Sequence, residues 1–196
     1  MGLVIGITGG IATGKTTLAK CFEKWGAILV EADRIGWELL AKADIYQNII
    51  DKFGEKVSRD GRIDRKELGK VVFSDRKKRE EFNKIVHPPL LKIMKQKLEE
   101  LKEKHPESII VVDAALIVEW SISDLFDAIV VVTSKKETQI RRLGLSRKEA
   151  IDRIDAQLPH EEKVQYADYV VKNDGTIEEF KKKIKTLWEE INTRKH

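Results

Sequence analysis

The apolar positions of this chain follow two rhythms. Unbroken, largely β-branched runs occupy residues 3–8, 27–31, 108–113, 128–133 and 169–172. Such runs, as opposed to an in-out alternation, predict strands buried on both faces. Between them the apolar residues recur at helical spacing. Leu18, Cys21, Phe22 and Trp25 share one face of a helix over residues 15–25, which makes Cys21 a packing residue. Residues 33–104 predict a long helical stretch, broken at Asp44, the turn Ser58-Arg59-Asp60-Gly61, a capping box of Asp64 with Glu67, Ser74 and Pro88-Pro89. Helices over 135–143 and 146–158 follow the fourth strand, the latter opened by Ser146 with Glu149. The fifth strand ends at Asn173-Asp174-Gly175, and Thr176 with Glu179 opens a last helix. Strands alternating with helices predict an α/β fold around a parallel sheet.

The junction of the first strand and first helix carries the chain's sharpest signal. Gly9-Gly10-Ile11-Ala12-Thr13-Gly14-Lys15-Thr16, followed by Thr17, satisfies G-x-x-x-x-G-K-[ST] in its required strand–loop–helix setting. The amides of such a loop wrap nucleotide phosphates at a helix N-terminus. Lys15 is then expected at the β- and γ-phosphates and on the solvent side of the loop, with Thr16 on Mg²⁺. The fold expected is therefore a P-loop NTPase-type five-stranded parallel sheet with helices on both faces.

Ligands of such sheets sit beyond the C-terminal strand ends, where two further carboxylates stand out. Asp113 ends the run Ile109-Ile110-Val111-Val112 and reads as a Walker B aspartate, a metal position reached through water. Asp33 follows the second strand, where a kinase acting on an alcohol needs a general base; a helix cap is the competing structural role. The stretch between strands two and three is far longer than a simple crossover needs. The domains expected are a nucleotide core (residues 1–33, 106–134 and 159–196), a helical acceptor-binding insertion (34–105) and a lid (135–158) bearing Arg141, Arg142, Arg147 and Arg153. Lid arginines suit phosphoryl transfer, because they meet charge on the transferring group. His87, ahead of Pro88-Pro89, is expected at a helix start.

Composition narrows the classes. The chain has 196 residues, 41% of them hydrophobic, which suffices for one α/β domain with insertions. No apolar run reaches membrane-spanning length and no leader pattern opens the chain, so no membrane partner is expected. The single cysteine allows no internal disulfide and points to a reducing cytoplasm. The net charge is only +4. Basic residues outnumber acids over 52–84 but are not interleaved with aromatics, and no reading motif for nucleic acid is present.

Taken together, the motifs resemble the dephospho-CoA kinase family across nearly the whole chain. The matching pieces are Ile7-Thr8-Gly9-Gly10-Ile11, Ala32-Asp33-Arg34-Ile35, His87-Pro88, Asp113 with Leu116 and Glu119, Arg153-Ile154 with Gln157, and Ala167-Asp168-Tyr169-Val170-Val171 running to Asn173 and Gly175. The resemblance implies phosphoryl transfer from ATP, with Mg²⁺, to the ribose 3′-hydroxyl of dephospho-CoA. It implies Asp33 as base, and His87, Asp113, Leu116 and Glu119 toward the acceptor. It also implies Asn173 and Gly175 beside the adenine, and the lid arginines on the phosphates. The chain departs from the family pattern at Ala12, where glycine is usual and which fits if its φ is negative. Ala115 and Val118 replace proline and phenylalanine, and the lid is shortened. Arg142 keeps the Arg-Leu register of the lid, with Arg141 and Arg147 as alternatives.

Another P-loop kinase, acting on a nucleoside or nucleotide, is the nearest rival. A switch GTPase would need Asn-Lys-x-Asp, whereas the chain has Lys172-Asn173-Asp174. A dinucleotide oxidoreductase would need G-x-G-x-x-G, which is absent.

Overall fold

The computed structural model describes residues 2–73, 75–119 and 122–194. It divides into two compact units, Met1–Glu31 with Leu98–His196, and Ala32–Lys97.

The first unit is built on five parallel strands: β1 (Val4–Gly9), β2 (Ile28–Glu31), β5 (Ile110–Asp113), β6 (Ala128–Thr133) and β7 (Tyr169–Lys172), in the order β2-β5-β1-β6-β7. The central strand β1 pairs with β5 and β6, and all six of its residues are buried. The register sets Ile7 beside Asp113 and Gly9 beside Val132, so the glycine-rich loop and the Asp113 strand end emerge together. One face of the sheet packs Ile5, Ile7, Val111, Val130 and Val132 against Leu18, Phe22, Phe180, Ile184 and Leu187. Those partners come from α1 (Lys15–Lys24) and α9 (Ile177–Arg194). Cys21 packs at the margin of this cluster, and Trp25, at the C-cap of α1, is 39% exposed. The Thr176–Glu179 box closes in both directions, Thr176 N to Glu179 Oε2 at 2.9 Å and Glu179 N to Thr176 Oγ1 at 3.2 Å.

The segment after β6 forms α6 (Lys136–Leu143) and α7 (Arg147–Asp155), the latter capped by Ser146. A short α8 (His160–Val164), not anticipated from the sequence, then leads back to the sheet.

The second unit holds α2 (Ala32–Leu39), α3 (Ala43–Phe53), a two-residue hairpin of β3 (Ser58–Arg59) with β4 (Arg62–Ile63), and α4 (Arg65–Phe73). α5 (Arg76–Lys104) begins there and runs into the first unit. The expected Asp60-Gly61 turn is the hairpin tip, both residues having positive φ (53° and 70°), the conformation a tight primed turn requires. Asp64 caps α4, its Oδ1 accepting from Lys66 N and Glu67 N. Ser74, expected as a break, lies outside the described residues.

One expectation fails. Pro88 and Pro89 neither stop nor start a helix; they and His87 lie inside the 29-residue α5. Each interior proline removes a donor and costs about 3 kcal/mol. Val86, Leu90, Met94 and Leu98, four residues apart, are all buried. At about 1.5–3 kcal/mol per buried side chain, that continuous apolar stripe offsets the lost hydrogen bonds.

Candidate active site

The glycine-rich loop folds back on the Gly10 carbonyl, which accepts from Thr13 Oγ1 and from Lys15 Nζ, both at 2.9 Å. Lys15 is half-buried by this arch over the loop, not simply solvent-facing. Gly9 and Gly14 have φ of 142° and 108°. A Cβ on Gly9 would run into the Val132 carbonyl, and one on Gly14 into Asn173 Nδ2 and the Phe180 ring, so both positions need glycine. Ala12 has φ +58°, so the negative angle at which alanine would fit freely is not the one adopted. The loop path demands a left-handed residue at this position. Alanine adopts it at a cost of about 1–2 kcal/mol.

Thr16 Oγ1 donates to Asp113 Oδ2 at 2.8 Å, uniting the first turn of α1 with the end of β5. Burial raises the Asp113 carboxyl above the usual aspartate range; the Thr16 hydrogen bond and the Lys15 charge oppose that rise only in part. A threonine hydroxyl and a carboxylate are hard oxygen donors of the kind that hold Mg²⁺ beside a phosphate.

On the other side of the loop, Arg142 from α6 reaches Ala12 O and Ser134 Oγ through Nη1, each at 3.3 Å, and Asn173 Oδ1 through Nη2 at 3.1 Å. Asn173 Nδ2 in turn donates to Thr13 O at 2.8 Å. Arg142 and Asn173, far apart in sequence, are thus fixed on the loop. With Ala12, Gly14, Lys15, Thr16, Thr17, Ile177 and Phe180 they line a cavity of about 460 Å³. Asp174 anchors the adjoining turn, its Oδ1 accepting from Lys135 N at 2.7 Å and Ser134 Oγ at 3.0 Å. Burial acts to raise the Asp174 carboxyl, but these hydrogen bonds with the Lys135 and Arg142 charges hold it below the usual range.

The remaining candidates are not all gathered here. Gly175 does not line the cavity; its missing side chain makes room for the Glu179 carboxylate of the capping box. Of the arginines expected on a lid, Arg147 is committed to Glu137 by a paired contact of 2.9 and 2.7 Å that joins α7 to α6. Arg141 and Arg153 are exposed. Leu116 and Glu119 do not line the cavity either, and Glu119 is bound to Lys163 Nζ at 2.6 Å. Asp33 and His87 belong to the second unit. Asp33 is exposed and sits within the first turn of α2, two residues past the position a cap would take; His87 is half-buried in α5.

The structure also brings forward residues the sequence reading had given no role. Gln157 Oε1 accepts from Ile11 N of the loop at 2.8 Å. Lys163 is fully buried. Gln157 stands in the family pattern without a role, and Lys163 carries no local signal: a lysine after Pro159-His160-Glu161-Glu162 has the pattern of a solvated helix.

Comparison with known proteins gives a consistent picture. The family model for dephospho-CoA kinase matches residues 3–179. The dephospho-CoA kinase of Carboxydothermus hydrogenoformans is 42% identical over 190 residues, covering 94% of this chain and 92% of that protein. A crystal structure from Thermus thermophilus is similar with a TM-score of 0.77 and 29% identity, over 96% of this chain and 97% of that one. The dephospho-CoA kinase structure from Campylobacter jejuni shares the fold with a TM-score of 0.73 at 23% identity, each chain covered completely (100%).

Proposed function

The chain belongs to the dephospho-CoA kinase family, and from that premise we propose how its residues carry the transfer of a phosphoryl group from ATP to the ribose 3′-hydroxyl of dephospho-CoA. The observation that carries the assignment of roles is the meeting of Thr16 with Asp113 beside the cavity that Thr16 lines.

In this reading the amides from Gly9 to Thr17 cradle the ATP phosphates, and Ile177 and Asn173 border the adenine. Lys15 leaves the Gly10 carbonyl for the β- and γ-phosphates. Among the described residues no group of three or more His, Cys, Asp or Glu side chains could hold a metal ion; a single hydroxyl and a single carboxylate fit Mg²⁺, which is usually bound by few protein oxygens beside substrate phosphates. Thr16 and, through water, Asp113 would hold Mg²⁺, which would supply positive charge to offset that of the nucleotide phosphates. Arg142 exchanges its Ala12 and Asn173 oxygens for oxygens of the transferring group.

Asp33 is the general base that takes the proton of the acceptor hydroxyl. Residues 34–105, with His87, recognise the acceptor, and residues 135–158 act as the lid. Leu116 and Glu119 are assigned to the acceptor side on the family resemblance alone. No described helix is long and apolar enough to cross a membrane; with Cys21 as the single cysteine we place the enzyme in the cytoplasm.

The test is ADP release from ATP and Mg²⁺ with dephospho-CoA, AMP or adenosine as acceptor. CoA formed from dephospho-CoA alone is the expected result. Brisk turnover of AMP or adenosine with none of dephospho-CoA would favour a nucleotide or nucleoside kinase.

A further inference from the structure

Lys163 is the most deeply buried cation of the molecule's described part, with no exposed surface. Its ammonium donates to Ala115 O at 2.8 Å and contacts Glu119 Oε1 at 2.6 Å. Ala115 O also accepts from Thr8 Oγ1 at 3.0 Å, and Ala114 N donates to Ile7 O at 3.0 Å. The backbone that leaves β5 immediately after Asp113 is therefore clamped to β1 from one side and to α8 from the other. Glu119 Oε1 further accepts from Leu158 N at 3.2 Å, where the segment of α6 and α7 returns to the sheet.

A buried ion pair often contributes no more stability than well-packed apolar residues in its place, so stability alone does not account for one here. What an apolar residue cannot do here is hold the Ala115 carbonyl in place. We propose that Lys163 is a positioning residue for the Thr16–Asp113 metal position, acting through Ala115 and braced by Glu119 at Leu158. It acts by placement, through the carbonyl of Ala115, two residues beyond Asp113. The inference rests on the reading of that position as a Mg²⁺ site.

The test measures nucleotide binding without an acceptor, so acceptor identity and any role of Glu119 on that side do not enter. A non-hydrolysable ATP analogue is titrated with and without Mg²⁺ into wild type, Lys163→Met and the double variant Lys163→Met/Glu119→Gln. The double variant leaves no uncompensated buried charge, and so provides a folded protein if the single one does not. Groups that orient metal ligands typically contribute 10–100-fold to metal affinity. The expected result is a Mg²⁺ half-saturation raised about 10–100-fold in each folded Lys163 variant, with metal-free nucleotide affinity unchanged. A lower melting temperature with unchanged Mg²⁺ half-saturation would overturn the proposal and leave the pair as a structural brace. Wild type that binds the analogue equally well with and without Mg²⁺ would instead overturn the metal-site reading beneath it.

Discussion

Thr16 Oγ1 lies 2.8 Å from Asp113 Oδ2, on two elements separated by most of the nucleotide core's insertions. The hydrogen bond sets a hydroxyl and a carboxylate oxygen side by side, where in the proposed reading they would hold one small cation, Asp113 through water, while Lys15 rests on the Gly10 carbonyl of the same loop. Burial has raised the Asp113 carboxyl, so a proton competes with the cation more strongly than at an ordinary aspartate.

That competition has a sign. Only the carboxylate form serves Mg²⁺, and its raised pKa means the form is lost, as pH falls, already above the usual aspartate range of roughly 4. A bound cation favours the carboxylate and shifts the loss to lower pH. The Mg²⁺ half-saturation for nucleotide binding should therefore rise on acidification before ordinary carboxylates titrate, and excess Mg²⁺ should restore binding. In Asp113→Asn this pH dependence should vanish. A wild-type half-saturation that stays flat down to the ordinary aspartate range would contradict it.

Ala12 holds φ +58° because the loop path requires it, not because alanine favours it. Glycine adopts that angle without the Cβ penalty, and its greater freedom in the unfolded chain takes back part of the gain. Ala12→Gly should stabilise the protein by about 1 kcal/mol, a rise of roughly 2–4 °C in Tm for a chain of this size. Calorimetry checks it; an unchanged or lower Tm would mean that packing of the Ala12 methyl outweighs the strain.

Asp33 stands in the first turn of α2, where its charge also suits the helix dipole. Asp33→Asn keeps the shape but cannot accept a proton. If Asp33 is the base, kcat should fall by about 10²–10⁴ while ATP affinity holds. A loss of thermal stability with kcat intact would assign it to the helix instead.

Much of this was legible in the sequence, where one residue's local pattern dictates one outcome. The strand runs, the glycine-rich loop and the Thr176–Glu179 box all declare themselves within a few residues. Helix ends at the capping boxes did so too. What stayed illegible depends on tertiary contact. Pro88 and Pro89 read as a break until Val86, Leu90, Met94 and Leu98 supply a buried stripe that carries the helix through. The sign of φ at Ala12 follows from the loop's path, not from alanine. Lys163 looks like any surface lysine, because its partners Ala115 and Glu119 lie far away in sequence. Gln157 stands out only in the family pattern; its partner, the amide of Ile11, is equally remote in sequence.

The lid arginines separate by their contacts. Arg142 already touches the loop carbonyl of Ala12 and the Asn173 side chain and lines the cavity, so a phosphate entering there meets a guanidinium in place. Arg147 is turned to Glu137, an exposed pair that joins α6 to α7 and holds Glu137 below the usual carboxylate range through its hydrogen bond and charge. Exposed pairs of this kind contribute little, and Arg147 does not line the cavity. Losing a donor aimed at the charge of a transition state costs about 10²–10³ in kcat. Arg142→Ala should show a loss of that order, and Arg147→Ala less than about tenfold, on the same argument. Hydrogen exchange supplies the companion measurement: an ATP analogue with dephospho-CoA should protect residues 135–158. Unchanged exchange there, with Arg142→Ala near wild-type turnover, would reduce these helices to a solvated face.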